Sequence, residues 1–168
     1  VNKIRSTGRN VSELNDFLRK AGHTCAVAYS AGPSDLPEYE YHIGSKTDVK
    51  LHGLLSRVSG KQGYFSKNAT RKLLNFTGSF APDIVVLNNL HANYIHLPLL
   101  LRYLAEKDIA TVAVLHDCWF YTGHCCHYTA AGCCKWQEHC GGCPTRKQYN
   151  RSWFFDRSAE MLEDKKQL

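Results

Sequence analysis

Residues 112–144, VAVLHDCWFYTGHCCHYTAAGCCKWQEHCGGCP, contain seven of the eight cysteines of the chain, together with several histidines. The segment Cys140-Gly141-Gly142-Cys143 has the spacing of a metal-binding knuckle, because glycine permits the tight turn that brings two thiolates onto one ion. Further thiol and imidazole ligands are available on the same stretch: Cys125 or Cys126, Cys133 or Cys134, His124, His127 and His139. This set predicts a tetrahedral zinc site.

Two other interpretations of the cysteines stay open. An even number of cysteines is compatible with a disulfide framework. Alternatively the thiols are free, and Cys25 and Cys118 have the sequence context of residues in or at the end of a strand. Metal analysis separates these alternatives.

A second group of chemically capable side chains follows two predicted strands. His116-Asp117 follows one apolar run, and Asn88-Asn89-Leu90-His91 follows another. The carboxyl ends of parallel strands share one sheet edge, which is where ligands bind in open α/β sheets. Imidazole acts as an acid, a base or a hydrogen-bond donor near neutral pH, and a neighbouring aspartate can orient it. A cleft at this edge is therefore the predicted site.

The third candidate is Ser6-Thr7-Gly8-Arg9, which we expect to form a turn that enters a helix. Free backbone N–H groups at a helix start attract phosphate, and an arginine adds a bidentate cation. The segment matches neither a dinucleotide-binding glycine pattern nor a P-loop. An ordinary capped helix start is the alternative interpretation.

Strands and helices must alternate to position these groups, and the hydrophobic periodicity predicts that alternation. The predicted helices cover residues 11–21 (ending at Gly22), 48–59, 68–76 (capped by Asn68), 95–107 and 158–168. The predicted strands cover residues 24–29, 84–87 and 110–115, the first and last of them buried, with a ragged edge strand at 39–43. This order indicates an α/β fold, a parallel sheet with helices on both faces, to which a Cys-rich loop at 118–144 is added.

Composition places the chain among ordinary globular proteins of one domain. It has 21 Lys and Arg against 15 Asp and Glu, an excess that favours anionic partners without choosing among them. No apolar run approaches the roughly 20 residues of a membrane span. We expect residues 1–168 to be a single domain of a longer protein, truncated at both ends.

Several motifs resemble those of one family of bacterial glycosyltransferases. They are Leu115-His116-Asp117-Cys118-Trp119, Thr122-Gly123-His124-Cys125, Cys133-Cys134-Lys135-Trp136, Cys140-Gly141-Gly142-Cys143-Pro144, Tyr149 and Asp156. The chain is similar to the retaining, two-Rossmann-domain enzymes of the family 4 type that build surface polysaccharides. Those enzymes often have Gly at the position of Arg5 and Tyr-Pro at the position of Tyr149-Asn150.

The resemblance implies a Rossmann-like N-terminal, acceptor-side domain that is inactive without the second Rossmann domain. His116 and Asp117 would be catalytic, and Ser6, Thr7, Gly8, Arg9, Asn89 and His91 would bind substrate. No metal would be needed for catalysis, and a structural zinc would be held by Cys125, Cys133, Cys140 and Cys143. The partners would be a sugar nucleotide and a polysaccharide or polyprenyl-diphosphate-linked acceptor. The location would be cytoplasmic, with peripheral contact at the inner membrane.

A different class of function is the alternative. A non-enzymatic zinc-knuckle module could bind nucleic acid or another anion through basic residues near the knuckle, such as Lys135, Arg146, Lys147 and Arg151. This alternative leaves the His116-Asp117 strand end without a role. Nucleic-acid affinity that falls steeply with salt would favour it.

Overall fold

The computed structural model of the protein describes residues 6–32 and 40–168. Its elements, in chain order, are α1 (Ser6–Lys20), β1 (Val27–Tyr29), β2 (Glu40–His42), α2 (Lys46–Ser59), α3 (Lys67–Phe80), β3 (Ile84–Asn88), α4 (Leu97–Glu106), β4 (Ala110–Val114) and α5 (Ser158–Lys166). The predicted α/β order is confirmed. Arg5 and part of the predicted 39–43 strand lie outside the described residues.

The four strands form two parallel pairs. β1 pairs with β2, and β3 pairs with β4 in a register that places Asn88 opposite Val114. The parallel pairing agrees with the sequence prediction, and β3–β4 is the pair that carries the predicted site. Within the described ranges, no helix is both long and apolar enough to span a membrane.

Local capping explains where the helices begin and end. Ser45 and Asp48 form a reciprocal capping box at the start of α2, and Gly60 ends that helix in the left-handed conformation, with φ of 78°. The prediction of Asn68 as the cap of α3 is wrong, since Ser66 holds that position with φ of 61°. Residues 6–9 form the first turn of α1 rather than a turn that precedes the helix, because the helix starts at Ser6.

The core lies between α3, α4 and the inner face of β3. Its largest fully buried side chains include Trp119 from the segment after β4 and Met161 from α5. Five leucines of α3 and α4 also belong to the core: Leu73, Leu74, Leu97, Leu100 and Leu104. The chain that follows β4 is thereby fixed to the body of the domain by its tryptophan.

Three apolar segments are more exposed than the sequence predicts. Every residue of β4 is exposed, including Val112 at 50%, and the predicted first strand is only partly buried. In α2 the leucines are exposed, and the buried residues are His52, Gly53 and Ser56. The small and polar side of α2 therefore packs inward.

Candidate functional site at the carboxyl edge of β3 and β4

The parallel register of β3 and β4 brings the two predicted polar strand ends together. His116 follows β4, and its Nε2 atom donates a hydrogen bond to Oδ1 of Asn88, at the end of β3, over 3.1 Å. The His116 side chain is exposed. Its ring is thus oriented by one strand end while its Nδ1 atom is left for other partners.

His91 and Asp117 form a second contact between the same two strand ends. Nδ1 of His91 lies 3.2 Å from Oδ2 of Asp117, and the other carboxylate oxygen, Oδ1, accepts a hydrogen bond of 2.8 Å from the backbone N–H of Trp119. The His91 ring also lies against the Trp119 ring, with centroids 5.9 Å apart. Asp117 therefore holds the His91 ring in place, and the backbone N–H of Trp119 holds the Asp117 carboxylate in place.

The electrostatic surroundings favour a neutral His91. Burial lowers the pKa of His91, Asp117 opposes that shift, and the positive charge of Lys165 adds to it. A neutral ring carries a single N–H, and the contact with Asp117 assigns that proton to Nδ1. His91 is held in one tautomer as a result.

A cleft opens beside these pairs. Its lining includes Asn89, His91, His116, Asp117 and Trp119. Asn89 has a positive φ of 49°, and its buried Oδ1 atom has no hydrogen-bond partner within the described part of the chain. Four of the predicted site residues are thus assembled at one edge.

The remaining predicted substrate-binding residues are elsewhere. Ser6, Thr7, Gly8 and Arg9 are in α1, and the described side chains that line the cleft do not include Thr7 or Arg9. Nε of Arg9 donates to Oε1 of Glu13, one turn further along the same helix, over 2.7 Å. Their predicted role in substrate binding stays a prediction.

Lys165 is a residue of this region that the sequence did not reveal. Its ammonium donates to the carbonyl oxygens of Trp119 and Thr122, over 2.6 and 2.8 Å, and lies 3.7 Å from the centroid of the Trp119 ring. Burial lowers its pKa to about 7, and nearby thiols and Asp117 oppose that shift. A lysine in the polar pattern of α5 gives no sequence signal of such enclosure.

The Cys-rich loop is folded back on the domain. The N–H of Cys118 donates to the carbonyl of Cys126 over 2.8 Å, and the N–H of Cys143 donates to Asp156 Oδ2 over 2.7 Å. Gly123 fits where any larger residue would collide, because an added Cβ would lie 2.0 Å from the Ser158 carbonyl oxygen and 3.0 Å from Cβ of Cys140. These contacts bring the TGHC and CGGC segments together.

All eight cysteines are unpaired thiols in this structure. Electrostatic interactions link the four thiols predicted to bind zinc, but among the described residues no three of their sulfur atoms all lie within 4.8 Å of one another. Burial is the largest cause of the raised pKa of Cys125, and Cys143 and Cys140 raise it further. Burial is also the largest cause of the raised pKa of Cys140, and Cys143 and Cys133 raise it further. In the CGGC segment both glycines have positive φ, 137° for Gly141 and 57° for Gly142, as the predicted tight turn requires.

A different trio has the closest ligand atoms. Among the described residues, the group whose donor atoms all lie within 4.8 Å of one another is His91, Asp117 and Cys126. Asn150 donates a hydrogen bond of 3.1 Å to Sγ of Cys126. This trio shares no residue with the predicted zinc set.

Comparisons with known proteins gave one family match and one curated relative. The family model described as Glycosyltransferase Family 4 matches residues 7–163. The putative colanic acid biosynthesis glycosyl transferase WcaC of Escherichia coli (strain K12) is 31% identical over 98 residues, a match that covers 55% of this chain and 23% of that relative. No solved structure matches the chain. Because the family model extends over nearly all of the described residues, the chain belongs to glycosyltransferase family 4.

Proposed function

We propose that the protein containing this chain transfers a sugar from a sugar nucleotide to a growing polysaccharide or lipid-linked acceptor. In this proposal the chain is the N-terminal, acceptor-side domain, and a second Rossmann domain completes the enzyme. The observation that carries the proposal is the pair of strand ends joined by the His116–Asn88 and His91–Asp117 contacts, in a chain that belongs to a glycosyltransferase family.

In the proposed reaction His116 contacts the transferred sugar. Its exposed ring is oriented through Nε2, so Nδ1 faces substrate as a hydrogen-bonding group. The His91–Asp117 pair forms the polar wall behind it. Transfer proceeds with retention, and the main catalytic effect is stabilisation of the departing diphosphate by groups oriented before the reaction. The first N–H groups of α1, with Arg9, supply part of that stabilisation.

The Cys-rich loop has a supporting role in this proposal, and we infer that it holds a structural zinc through Cys125, Cys133, Cys140 and Cys143. The chemistry of the donor set fits zinc, since four thiolates form a closed tetrahedral site. The two glycines with positive φ and the contact of Gly123 with Cys140 support it. The ion takes no part in the transfer step.

The nucleic-acid-binding module is the weaker of the two functions. Membership in a glycosyltransferase family and the polar groups at the β3–β4 edge both favour the transferase. The net charge of +6 fits a transferase that works at an anionic lipid surface, so we propose peripheral contact of the cytoplasmic enzyme with the inner membrane.

The test uses the complete protein that contains this chain. It is incubated with a panel of sugar nucleotides and a lipid extract, and release of nucleoside diphosphate is measured together with sugar incorporation into lipid. We expect His116→Ala to lower turnover by about 100-fold or more, the size of a lost acid–base or electrostatic contact. His23→Ala, an exposed histidine in the turn after α1, is the matched control.

Turnover of the His116→Ala variant within about twofold of the wild type would remove His116 from the site. Failure with every donor, combined with nucleic-acid affinity that falls steeply with salt, would replace the transferase by the binding module.

A further inference from the structure

A second cavity adjoins the strand-edge cleft, between α2 and the segment that follows the Cys-rich loop. Its volume is about 240 Å³, and none of the described residues that line it carries an aromatic or aliphatic side chain. We call it the amide cavity, because Gln62, Asn93, Gln148 and Asn150 provide four carboxamides on its walls. Gln62 donates to the backbone carbonyl of His91, which connects the cavity to the cleft.

Two buried groups of the amide cavity lack a hydrogen-bond partner. Oε1 of Gln62 and Oγ of Ser56 have none within the described part of the chain, although each residue is only 5% exposed. The Nε2 atom of Gln62 is occupied, since it also donates to Oδ1 of Asn93 over 3.1 Å. A buried polar atom without a hydrogen-bond partner is unfavourable for the folded protein. Both atoms therefore have unused hydrogen-bonding capacity at the wall of the cavity.

Two arginines give the amide cavity a positive charge. Arg57 of α2 and Arg151 line it, and within residues 6–32 and 40–168 neither guanidinium forms an ion pair with a carboxylate. Arg151 donates from Nε to the carbonyl of Gln148 over 3.4 Å, which leaves its terminal amino groups for a ligand. Guanidinium groups recognise phosphate and carboxylate through paired hydrogen bonds.

We propose that the amide cavity binds an anionic sugar unit, a hydroxyl-rich ring that carries a phosphate or a carboxylate. The carboxamides and Ser56 would take the hydroxyls, and Arg57 and Arg151 would take the negative group. The absence of aromatic lining among the described residues disfavours a nucleobase, which stacks on such rings. The volume lies below the range of about 300–1,000 Å³ for drug-sized pockets, which suits one sugar unit.

The position of the amide cavity beside the cleft assigns this sugar unit to the acceptor, and that assignment rests on the proposed function. Asn150 lies between the two sites, because its side chain lines the amide cavity and donates to Sγ of Cys126, which is next to Asp117 and His91. An acceptor held by its anionic unit in the cavity would present a neighbouring hydroxyl to the cleft. The donor nucleotide would lie outside the cavity.

Gly53 provides a variant that fills the amide cavity without changing a charge. A Cβ at Gly53 would lie 3.5 Å from Nη1 of Arg57 and 3.6 Å from Nδ2 of Asn93, which is ordinary contact. Gly53→Ala therefore adds a methyl group between these two side chains. Alanine favours a helix over glycine, so lost binding in this variant cannot be attributed to unfolding.

The test measures binding by titration calorimetry with glucose 1-phosphate, glucuronate, inorganic phosphate and glucose as probes. We expect one of the two anionic sugars to bind at least about tenfold more tightly than both glucose and inorganic phosphate, since it uses both sets of groups. Comparison of glucose 1-phosphate with glucuronate identifies the anion.

Arg57→Gln and Arg151→Gln should each weaken binding by about tenfold or more, and Gly53→Ala should weaken it at an unchanged or higher melting temperature. Arg71→Gln, an exposed arginine of α3 that does not line the cavity, should bind like the wild type.

Equal affinity for all probes, binding of inorganic phosphate alone, or no binding to any probe would overturn the proposal. Unchanged affinity in both arginine variants would also overturn it. Transfer assays keep this result distinct from the proposed function. If both proposals hold, Arg57→Gln raises KM for the acceptor and leaves KM for the sugar nucleotide unchanged. Sugar binding without any transfer would contradict the proposed function and the acceptor role, and would leave the binding of an anionic sugar in the cavity in place.

Discussion

Cys140 and Cys126 distinguish two ways in which this protein could bind a metal. Cys140 belongs to the set predicted from the CGGC knuckle, and Cys126 belongs to the trio with His91 and Asp117. We expect purified protein to contain about one equivalent of zinc, held by thiolates in a closed site. Cys140→Ser and Cys143→Ser should lose most of the metal, because removal of one ligand opens the tetrahedron.

Elemental analysis of the purified variants checks this expectation, with circular dichroism to confirm that they fold. Cys126→Ser is the matched control, since it removes a buried thiol from the same loop and should retain zinc. The opposite pattern, zinc lost in Cys126→Ser and retained in Cys140→Ser, would assign the metal to the trio. Less than about a tenth of an equivalent in the wild type would exclude both sites.

Individual residues of the cleft were predictable because strand ends follow a general rule. Asn89, His91, His116 and Asp117 each come just after an apolar run, and parallel strands bring their carboxyl ends together. Which side chains pair was not predictable. The contact of His91 with Asp117 depends on a register and on a backbone bond from Trp119 that no local pattern specifies.

At the scale of elements, Gly123 fixes the distance between the Cys-rich loop and α5. An added Cβ would lie 2.0 Å from the carbonyl oxygen of Ser158, a backbone atom at the start of α5 that cannot rotate away. We expect Gly123→Ala to lower the free energy of unfolding by about 1–3 kcal/mol, the usual cost of overpacking. Urea denaturation measures this change.

Gly78→Ala is the matched control for that variant. Gly78 is in α3, and a Cβ there would approach only the hydroxyl of Tyr103, at the end of a side chain that can move. The control should be neutral or stabilising because alanine favours a helix. Equal stability of Gly123→Ala and the wild type would mean that α5 and the loop are not tightly packed.

The helices show what the spacing of apolar residues can predict and what it cannot. Apolar spacing predicted the existence of α2 and α4, and the capping box of Ser45 and Asp48 explains why α2 starts two residues earlier than expected. Spacing gave the wrong inner face for α2, whose leucines are exposed. Tertiary packing buried Gly53 and Ser56 instead, and the amide cavity is the consequence.

At the scale of the whole molecule, buried histidines set the response to acid. His52 is the clearest case, since Nδ1 donates to Oγ of Ser66 over 2.8 Å and Nε2 accepts from the N–H of Gly63 over 3.3 Å. Protonation would remove that acceptor. Burial, with a smaller contribution from His96, lowers the pKa of His52 to about 4. Burial also lowers the pKa values of His91, His96 and His124.

A histidine with a lowered folded-state pKa gives stability that is fully present above its unfolded value of 6.5 and is lost as the pH falls toward 4. We therefore expect the free energy of unfolding to decrease between about pH 6.5 and pH 4, by roughly 3 kcal/mol from His52 alone. Urea denaturation at a series of pH values measures the slope. His52→Gln should flatten it, and a slope that is unchanged in that variant would remove His52 as the cause.

The fold class of the molecule could be predicted from the sequence, because segments with strand-type and helix-type apolar spacing alternate, and few architectures fit that alternation. Which strands pair with each other was harder to predict. Three-residue strands such as β1 and β2 carry too little pattern to specify their neighbours, and the exposed face of β4 contradicts its apolar sequence.

The enclosure of Lys165 has a consequence for folding during synthesis on the ribosome. Its ammonium binds carbonyl groups 46 and 43 residues earlier in the chain, at Trp119 and Thr122. The ribosome therefore synthesises the Cys-rich loop before it synthesises Lys165, the residue that binds the start of that loop. Until α5 emerges, Cys125 and Cys126, which are buried in the folded domain, are open to oxidants and to stray metal ions. Correct maturation of the loop is thus a matter of timing as well as of contacts.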